Sequence, residues 1–167
     1  MMESLEIVPV KGEEIPLLAQ IADEIWHEHF PPIIGMEQTD YMVNKFQSEQ
    51  AITHAVHEEG YRYYFFRLGD KEIGYIGIQP QKDALFLSKL YLKKAFRGRK
   101  FARAGIDFLT ELCRKEGYPK IRLTCNRDNK NSLAAYDKMG FLIAYEQDAD
   151  IGNGFVMNDY VMEKPIQ

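Results

Sequence analysis

The sequence predicts an α/β fold: a single domain, residues 1–167, with a mixed and mostly antiparallel central sheet flanked by helices. Three observations carry that expectation. Apolar residues recur every three or four positions in residues 15–29 and again in residues 101–116, as on one buried face of a helix. Two β-rich runs meet at Gly69-Asp70, as the strands of a hairpin do. Residues 84–125 read strand, helix, strand, and such a unit implies a parallel pair joined by a right-handed crossover.

Leu5 to Val10 alternates weakly and reads as the first strand. In the helix from Ile15 to His29, Ile15, Leu18, Ala22, Ile25 and Trp26 share one face. Pro31-Pro32 closes it, because proline cannot continue a helix and restricts the residue before it. Thr39 is placed to cap a second helix, and Gln47 to Glu59 reads as further helix. Tyr61 to Leu68 is rich in aromatic residues and strand-like; Glu72 to Gln79 and Ala84 to Leu92 follow as strands. The next helix runs from about Phe101 to Glu116, with Phe101, Gly105, Phe108, Leu109 and Leu112 on its buried face and Gly117 as its stop. Lys120 to Cys125 is a strand. Asn131 to Met139 is a short helix closed by Gly140 as a left-handed cap. Phe141 to Glu146 and Phe155 to Met162 are the last strands, which leaves Asp148 and Asp150 on the loop between them.

Composition narrows the function. The chain is 46% hydrophobic and 28% charged, ordinary for a globular domain with a full core. Its net charge of −4 argues against nucleic acid as a partner, which calls for a basic face. No apolar stretch approaches membrane-spanning length, so no membrane partner is expected. The N-terminus lacks the basic segment and apolar run of a signal peptide. Cys113 and Cys125 show no metal-ligand spacing and read as reduced core residues. No metal is expected, and a cytoplasmic location fits. A homodimer is left open.

Against this acidic background one stretch is basic. Arg97, Arg99, Lys100 and Arg103 crowd the start of the 101–116 helix, where the macrodipole favours Asp or Glu. Free N–H groups at a helix start bind anions, so these residues read as a phosphate site. A basic, solvated helix start is the plain alternative.

The run Leu90-Tyr91-Leu92-Lys93-Lys94-Ala95-Phe96-Arg97-Gly98-Arg99-Lys100-Phe101-Ala102 resembles motif A of the GNAT N-acetyltransferases, a strand leading through an Arg/Gln-x-x-Gly-x-Gly/Ala loop into a helix. Downstream, Asn129-Lys130-Asn131-Ser132-Leu133-Ala134-Ala135-Tyr136-Asp137-Lys138-Met139-Gly140-Phe141 resembles motif B of the same family. The motifs occur in the family's order and separation, and the strand–helix order matches along nearly the whole chain. One position departs: Lys100 stands where the motif has its central glycine, while Ala102 fits the last small position.

The resemblance implies an acyl-CoA N-acyltransferase fold, acetyl-CoA as co-substrate and an amine as acceptor, with direct attack of the neutral amine on the thioester. It assigns the CoA pyrophosphate to backbone N–H groups from Arg99 to Arg103 and to the side chains of Arg97 and Arg99, with Gly98, Lys100, Phe101 and Ala102 completing the loop. Backbone groups of Leu90, Tyr91 and Leu92 would align the thioester. Asn129 and Ser132 belong to the cofactor side, Asn129 as a pantetheine contact or a support of the turn. Tyr136 would protonate the leaving thiolate; a phenol of pKa about 10 holds its proton at neutral pH. Read from the residues alone, Tyr136 is also a core aromatic and Asn129 a cap.

The general base is open: Ser88 and Lys89 lie on the 84–92 strand, and His27, Glu28, His29 and Glu37 lie near the Pro31-Pro32 break, which borders the acceptor cleft in the family. The acceptor-side candidates are Trp26, Glu28, Tyr41, Asp148 and Asp150. The acidic run Glu146, Asp148, Asp150 would favour a cationic amine, Trp26 and Tyr41 would add cation–π contacts, and the segment loosely resembles polyamine acetyltransferases, so polyamines rank first. The alternatives are a non-catalytic acyl-CoA-binding or sensor domain of the same fold, or acetylation of a protein or amino-sugar amine. An unrelated nucleotide-binding domain is disfavoured, because Gly-x-x-x-x-Gly-Lys-Ser/Thr and Gly-x-Gly-x-x-Gly are both missing.

Overall fold

A computed structural model describes residues 4–167; Met1, Met2 and Glu3, the start of the N-terminal stretch read above, lie outside the described residues. The elements are β1 (Leu5–Pro9), α1 (Ile15–His29), α2 (Pro31–Ile34), α3 (Met36–Phe46), α4 (Glu49–Glu58), β2 (Arg62–Leu68), β3 (Lys71–Pro80), β4 (Leu85–Leu92), α5 (Phe101–Glu116), β5 (Lys120–Asn126), α6 (Lys130–Lys138), β6 (Leu142–Gly152) and β7 (Phe155–Pro165). Short 3₁₀ turns occupy Gly12–Glu14 and Lys94–Phe96. The strands form a seven-stranded sheet in the order β1-β2-β3-β4-β5-β7-β6. β1–β2, β2–β3, β5–β7 and β6–β7 pair antiparallel, and β4–β5 pair parallel through Leu85–Leu87 and Ile121–Leu123. The mixed α/β architecture is the one expected.

The chain divides into two compact units, one from the N-terminus to Gln79 together with Lys89–Gly105, the other Pro80–Ser88 with Ile106–Gln167. In the first, α1 buries the stripe its spacing predicts: Ile15, Leu18, Ala22, Ile25 and Trp26, with Ile21 added. Trp26 Nε1 donates to the Tyr75 hydroxyl at 2.7 Å, and that hydroxyl donates to Gln47 Oε1 at 3.0 Å, a buried chain that leaves Gln47 Nε2 without a partner among the described residues. Pro31-Pro32 ends α1 but also opens α2, since proline at the first helical positions forfeits no intrahelical bond. Thr39 is not a cap. Gly35 (φ +87°) precedes α3, and Thr39 lies buried in its first turns with Oγ1 donating to the Gly35 carbonyl at 2.7 Å. Likewise α4 starts at Glu49, where Ser48 Oγ accepts from Ala51 N at 3.1 Å; Gln47 stays in the linker because its side chain serves Tyr75.

The buried face of α5 is Gly105, Ile106, Leu109 and Cys113, rotated slightly from the predicted one; Phe101, Phe108 and Leu112 are half-buried. A Cβ on Gly105 would lie 2.7 Å from the Phe66 ring, so only glycine admits this approach.

In the second unit, β5 alternates Ile121, Leu123 and Cys125 inward with polar residues outward. Asn129 caps α6, one residue before the predicted start, its Oδ1 accepting from Ser132 N at 3.4 Å. The largest correction concerns β6. It runs to Gly152, in register with β7 through Gln147↔Asp159, Asp148↔Asn158 and Asp150↔Val156, so Glu146, Asp148 and Asp150 stand on a strand rather than on a loop.

Candidate active site

The loop before α5 has the backbone of an anion cradle. Gly98 (φ +76°) and Lys100 (φ +65°) both lie in the left-handed region, two positions apart. Turns of this kind gather successive N–H groups on one side. The first N–H groups of α5 follow, without carbonyls four residues earlier in the helix to receive them. The first turn of α5 carries no acidic residue. Arg99, Lys100 and Arg103 are exposed, and Phe101 and Ala102 are half-buried. The Arg99 guanidinium lies over the Phe96 and Phe101 rings, 5.7 and 5.1 Å from their centroids, which fixes where its charge is presented. Lysine therefore holds a conformation that L-residues avoid, at the position where motif A has glycine.

The end of β4 is braced from two sides. Arg97 Nε donates to the Leu92 carbonyl at 3.0 Å, and its terminal nitrogen lies 4.0 Å from Glu28. Arg97 thus spends part of its side chain on the strand, and its assigned phosphate contact falls to the remaining guanidinium nitrogens and to its backbone neighbours. Glu28 Oε1 also accepts from Lys94 N at 3.2 Å, while Lys93 pairs with Glu24 at 3.4 Å. Lys93 N donates to the Ile73 carbonyl at 2.8 Å. A Cβ on Gly74 would lie 2.3 Å from the Tyr91 carbonyl oxygen, so the Leu90–Leu92 backbone runs against β3 at a distance only glycine allows. Glu28 therefore acts here as a clamp on the loop, not as a free acceptor contact.

The motif B residues belong to the second unit. Tyr136 on α6 is half-buried, with its ring 5.4 Å from the Phe141 ring in an edge contact. Burial, with Cys125 nearby, pushes its phenol well above the ordinary range. Among the described residues its hydroxyl has no hydrogen-bond partner. Cys125 is buried and held protonated, its thiol pushed up to about 12 by burial and by Asp159. Asp159 on β7 is buried and raised to about 6, burial outweighing the opposite pull of Arg127. Asn129, itself buried, spends its Oδ1 on the cap, and Ser132 is half-buried.

The acceptor-side candidates fare differently. Trp26 is buried, packed on Phe30 (4.5 Å) and Tyr91 (5.4 Å), and is a core residue with its N–H already used. Tyr41 faces the ammonium of Lys45, 5.6 Å from its ring centroid. Glu146 and Asp148 form ion pairs with Arg127, the former at 3.3 Å, and Asp150 Oδ1 accepts from Gly152 N at 2.8 Å. All three acids are engaged within their own hairpin or by the β5–α6 connection. Of the base candidates, His27 bridges Asp23 and Asp40, its hydrogen bond to Asp40 first among the causes that raise its pKa. His29 is lowered to about 4 by burial and by Arg97, so it is neutral at physiological pH.

One feature of the first unit is not visible in the sequence. A cavity of about 630 Å³ is lined by residues of α3, α4, β2 and β4 and of the α4–β2 connection, among them Glu59, Tyr61, Tyr63 and Lys89. No single stretch of sequence announces it; its one local mark is Lys89, beside Ser88 in β4.

The description "Acetyltransferase (GNAT) family" matches residues 18–141, which include both motifs. A comparison with curated proteins found no match. Among solved structures, the chain is similar to PaiA N-acetyltransferase from Thermoplasma acidophilum in complex with coenzyme A, at 22% identity, TM-score 0.80 and coverage of 97% of this chain and 99% of that one. It is similar to a ribosomal-protein alanine N-acetyltransferase from Escherichia coli, at 17% identity, TM-score 0.73 and coverage of 98% and 95%. A chimera of spermidine N-acetyltransferase SpeG from Vibrio cholerae and hSSAT gives 13% identity, TM-score 0.69 and coverage of 96% and 95%. These likenesses are to the fold, across proteins named for different acceptors. With the family match spanning most of the sequence, the chain belongs to the acetyltransferase (GNAT) family and is by class an N-acetyltransferase.

Proposed function

We propose that the protein transfers the acetyl group of acetyl-CoA to a primary amine by direct attack on the thioester. The observation that carries the reading is the 97–103 loop: two left-handed residues, a helix start without acids and four basic side chains within the matched family region. In this reading the neutral amine nitrogen bonds to the acetyl carbon, the carbon–sulfur bond breaks, the thiolate takes a proton from Tyr136, and the proton lost by the nitrogen leaves to water, from which the phenolate is reprotonated. The backbone N–H groups of Arg99 to Arg103 and the Arg99, Lys100 and Arg97 cations hold the pyrophosphate. Leu90 to Leu92 present backbone groups to the thioester. Tyr136 supplies the proton; burial disfavours its phenolate, so the phenol is protonated at neutral pH.

The finer acceptor stays with the same proposal. Polyamines were favoured by carboxylates that are engaged with Arg127 and Gly152 in this fold, so that motive is spent. Spermidine is therefore one member of the acceptor panel and not its head. Two measurements test the function. CoA should raise the unfolding free energy by about 2.7 kcal/mol at a hundred times its dissociation constant, and Arg97→Ala with Arg99→Ala should remove most of that gain. Acetyl-CoA incubated with an amine panel should yield N-acetylated product by mass spectrometry. CoA binding without any product would favour the sensor alternative; no CoA binding at millimolar levels would refute the phosphate site.

A further inference from the structure

The 630 Å³ cavity lies within the range of small-molecule sites. Two of its lining residues, Tyr63 and Lys89, pack against a glycine. A Cβ on Gly77 would lie 2.8 Å from the Tyr63 ring and 3.0 Å from Lys89 Cγ, so glycine in β3 lets β2 and β4 bring these two side chains over it. Tyr61 stacks on Tyr63 with centroids 6.1 Å apart, giving the cavity an aromatic wall. Besides the tyrosines, the ionisable lining is Lys45, His54, Glu59 and Lys89: two lysines, one carboxylate and a histidine. This is a local excess of positive charge in a chain of net charge −4.

The aromatic faces do not offer a cation site. Lys89 Nζ lies 5.7 Å from the Tyr61 centroid, and Lys45 Nζ lies 5.4 Å from that of Phe46. A ligand ammonium placed there would meet an ammonium already present, whereas a ligand anion would meet two attractions. Lys89 is half-buried, and burial draws its pKa down to about 8; a bound anion would relieve that cost. In sequence Lys89 immediately precedes Leu90–Leu92. The cavity and the backbone assigned to the thioester thus share one strand, β4.

We propose that this cavity holds the carboxylate end of the acetyl acceptor, which makes the substrate an amine that also carries an acid group. The statement deepens the transferase reading and rests on it for the word acceptor; the anion site itself rests on the cavity. Lys89 is the principal anchor, Lys45 a second cation at the wall, and Tyr61 and Tyr63 cover the apolar linker between acid and amine. Glu59 opposes the acid and limits its affinity.

The test separates binding from turnover. Calorimetry on the full chain compares 6-acetamidohexanoate with 6-acetamidohexanamide, which differ only in the charged end and cannot be acetylated at nitrogen again. The acid should bind about tenfold or more tightly than the amide. Lys89→Met keeps the aliphatic stem against Gly77 and should abolish the difference, Lys89→Arg should keep it, and Glu59→Gln should enlarge it severalfold. Circular dichroism melts of the same variants establish that each is folded. In turnover, 6-aminohexanoate should exceed 1,6-diaminohexane in kcat/KM, with the preference residing in KM. Equal binding of acid and amide, or an acid preference that survives Lys89→Met, overturns the proposal. Lys89-dependent acid binding with no turnover of any amine removes the transferase reading and leaves the anion cavity standing. Turnover of the diamine without an acid preference does the reverse.

Discussion

In the 97–103 loop the titratable groups stand in water: Arg99, Lys100 and Arg103 are exposed and Arg97 is half-buried. Around Tyr136 they stand inside. Cys125 and Asp159 are buried, Tyr136 is half-buried, and burial is the leading cause that raises the pKa of all three. In one region water supports the charges; in the other burial disfavours them. The difference matches the two tasks of acyl transfer. Holding a pyrophosphate needs cations, which cost little where solvent stabilises them before the ligand arrives. Delivering one proton needs a group that is protonated at neutral pH, and burial, which penalises the charged form, keeps a phenol so.

The comparison breaks most visibly at Tyr136. Tyr136→Phe removes the proposed proton donor and leaves the ring on Phe141. A positioned acid contributes about 10²–10⁴-fold, so kcat should fall by that factor while the KM for acetyl-CoA stays within about twofold. Because the hydroxyl has no hydrogen-bond partner among the described residues, the melting temperature should hold or rise slightly. A kcat within about twofold of wild type would make Tyr136 a packing residue and empty the contrast.

Asp159 tests whether burial disfavours charge in that region. Its ordinary value is 3.8 and its folded value about 6, so between those pH values the folded state binds more protons than the unfolded state. Stability must then fall as pH rises through that window and level off above it. Asp159→Asn is neutral throughout and escapes the fall. Relative to wild type it should gain up to about 3 kcal/mol by pH 7, and little below pH 4. Urea unfolding at several pH values measures this, and parallel profiles would show that the carboxylate is not penalised.

Much of this layout was legible in the sequence because it rests on local rules. The α1 stripe, the Gly69-Asp70 hairpin and the parallel β4–β5 pair follow from periodicity and turn chemistry. Motif spacing gave both the loop and Tyr136. What escaped was set by partners far along the chain. β6 is the last strand of the sheet order, and Leu142 to Ala149 are mostly exposed, so no alternation of apolar residues announces it. Its register comes from β7. Trp26 looked available because nothing local reveals Tyr75, a partner 49 positions away. The cavity needs Gly77, Tyr63 and Lys89 from three strands, and no single window of sequence contains them.

The smallest effect concerns Lys100, and its two parts have opposite signs. At φ +65° its Cβ crowds the backbone, a conformation that costs an L-residue about 1–2 kcal/mol. Lys100→Gly relieves that strain but frees the unfolded chain, which returns roughly 0.5–1 kcal/mol. The net gain should be about 0.5–1 kcal/mol, a rise of about 1–4 °C in Tm for a chain of this size. CoA affinity should move the other way. An exposed cation facing a phosphate contributes about 0.2–1 kcal/mol, so the dissociation constant should rise by about 1.4- to 5-fold in low salt and converge on wild type in high salt as the charge is screened. Lys100→Glu should weaken CoA further, since it adds repulsion and keeps the strain. A variant that melts lower than wild type would mean the left-handed backbone costs lysine nothing here. A dissociation constant indifferent to glycine, glutamate and salt would mean that Arg97 and Arg99 carry the phosphate alone, and that the lysine in the glycine position is tolerated rather than used.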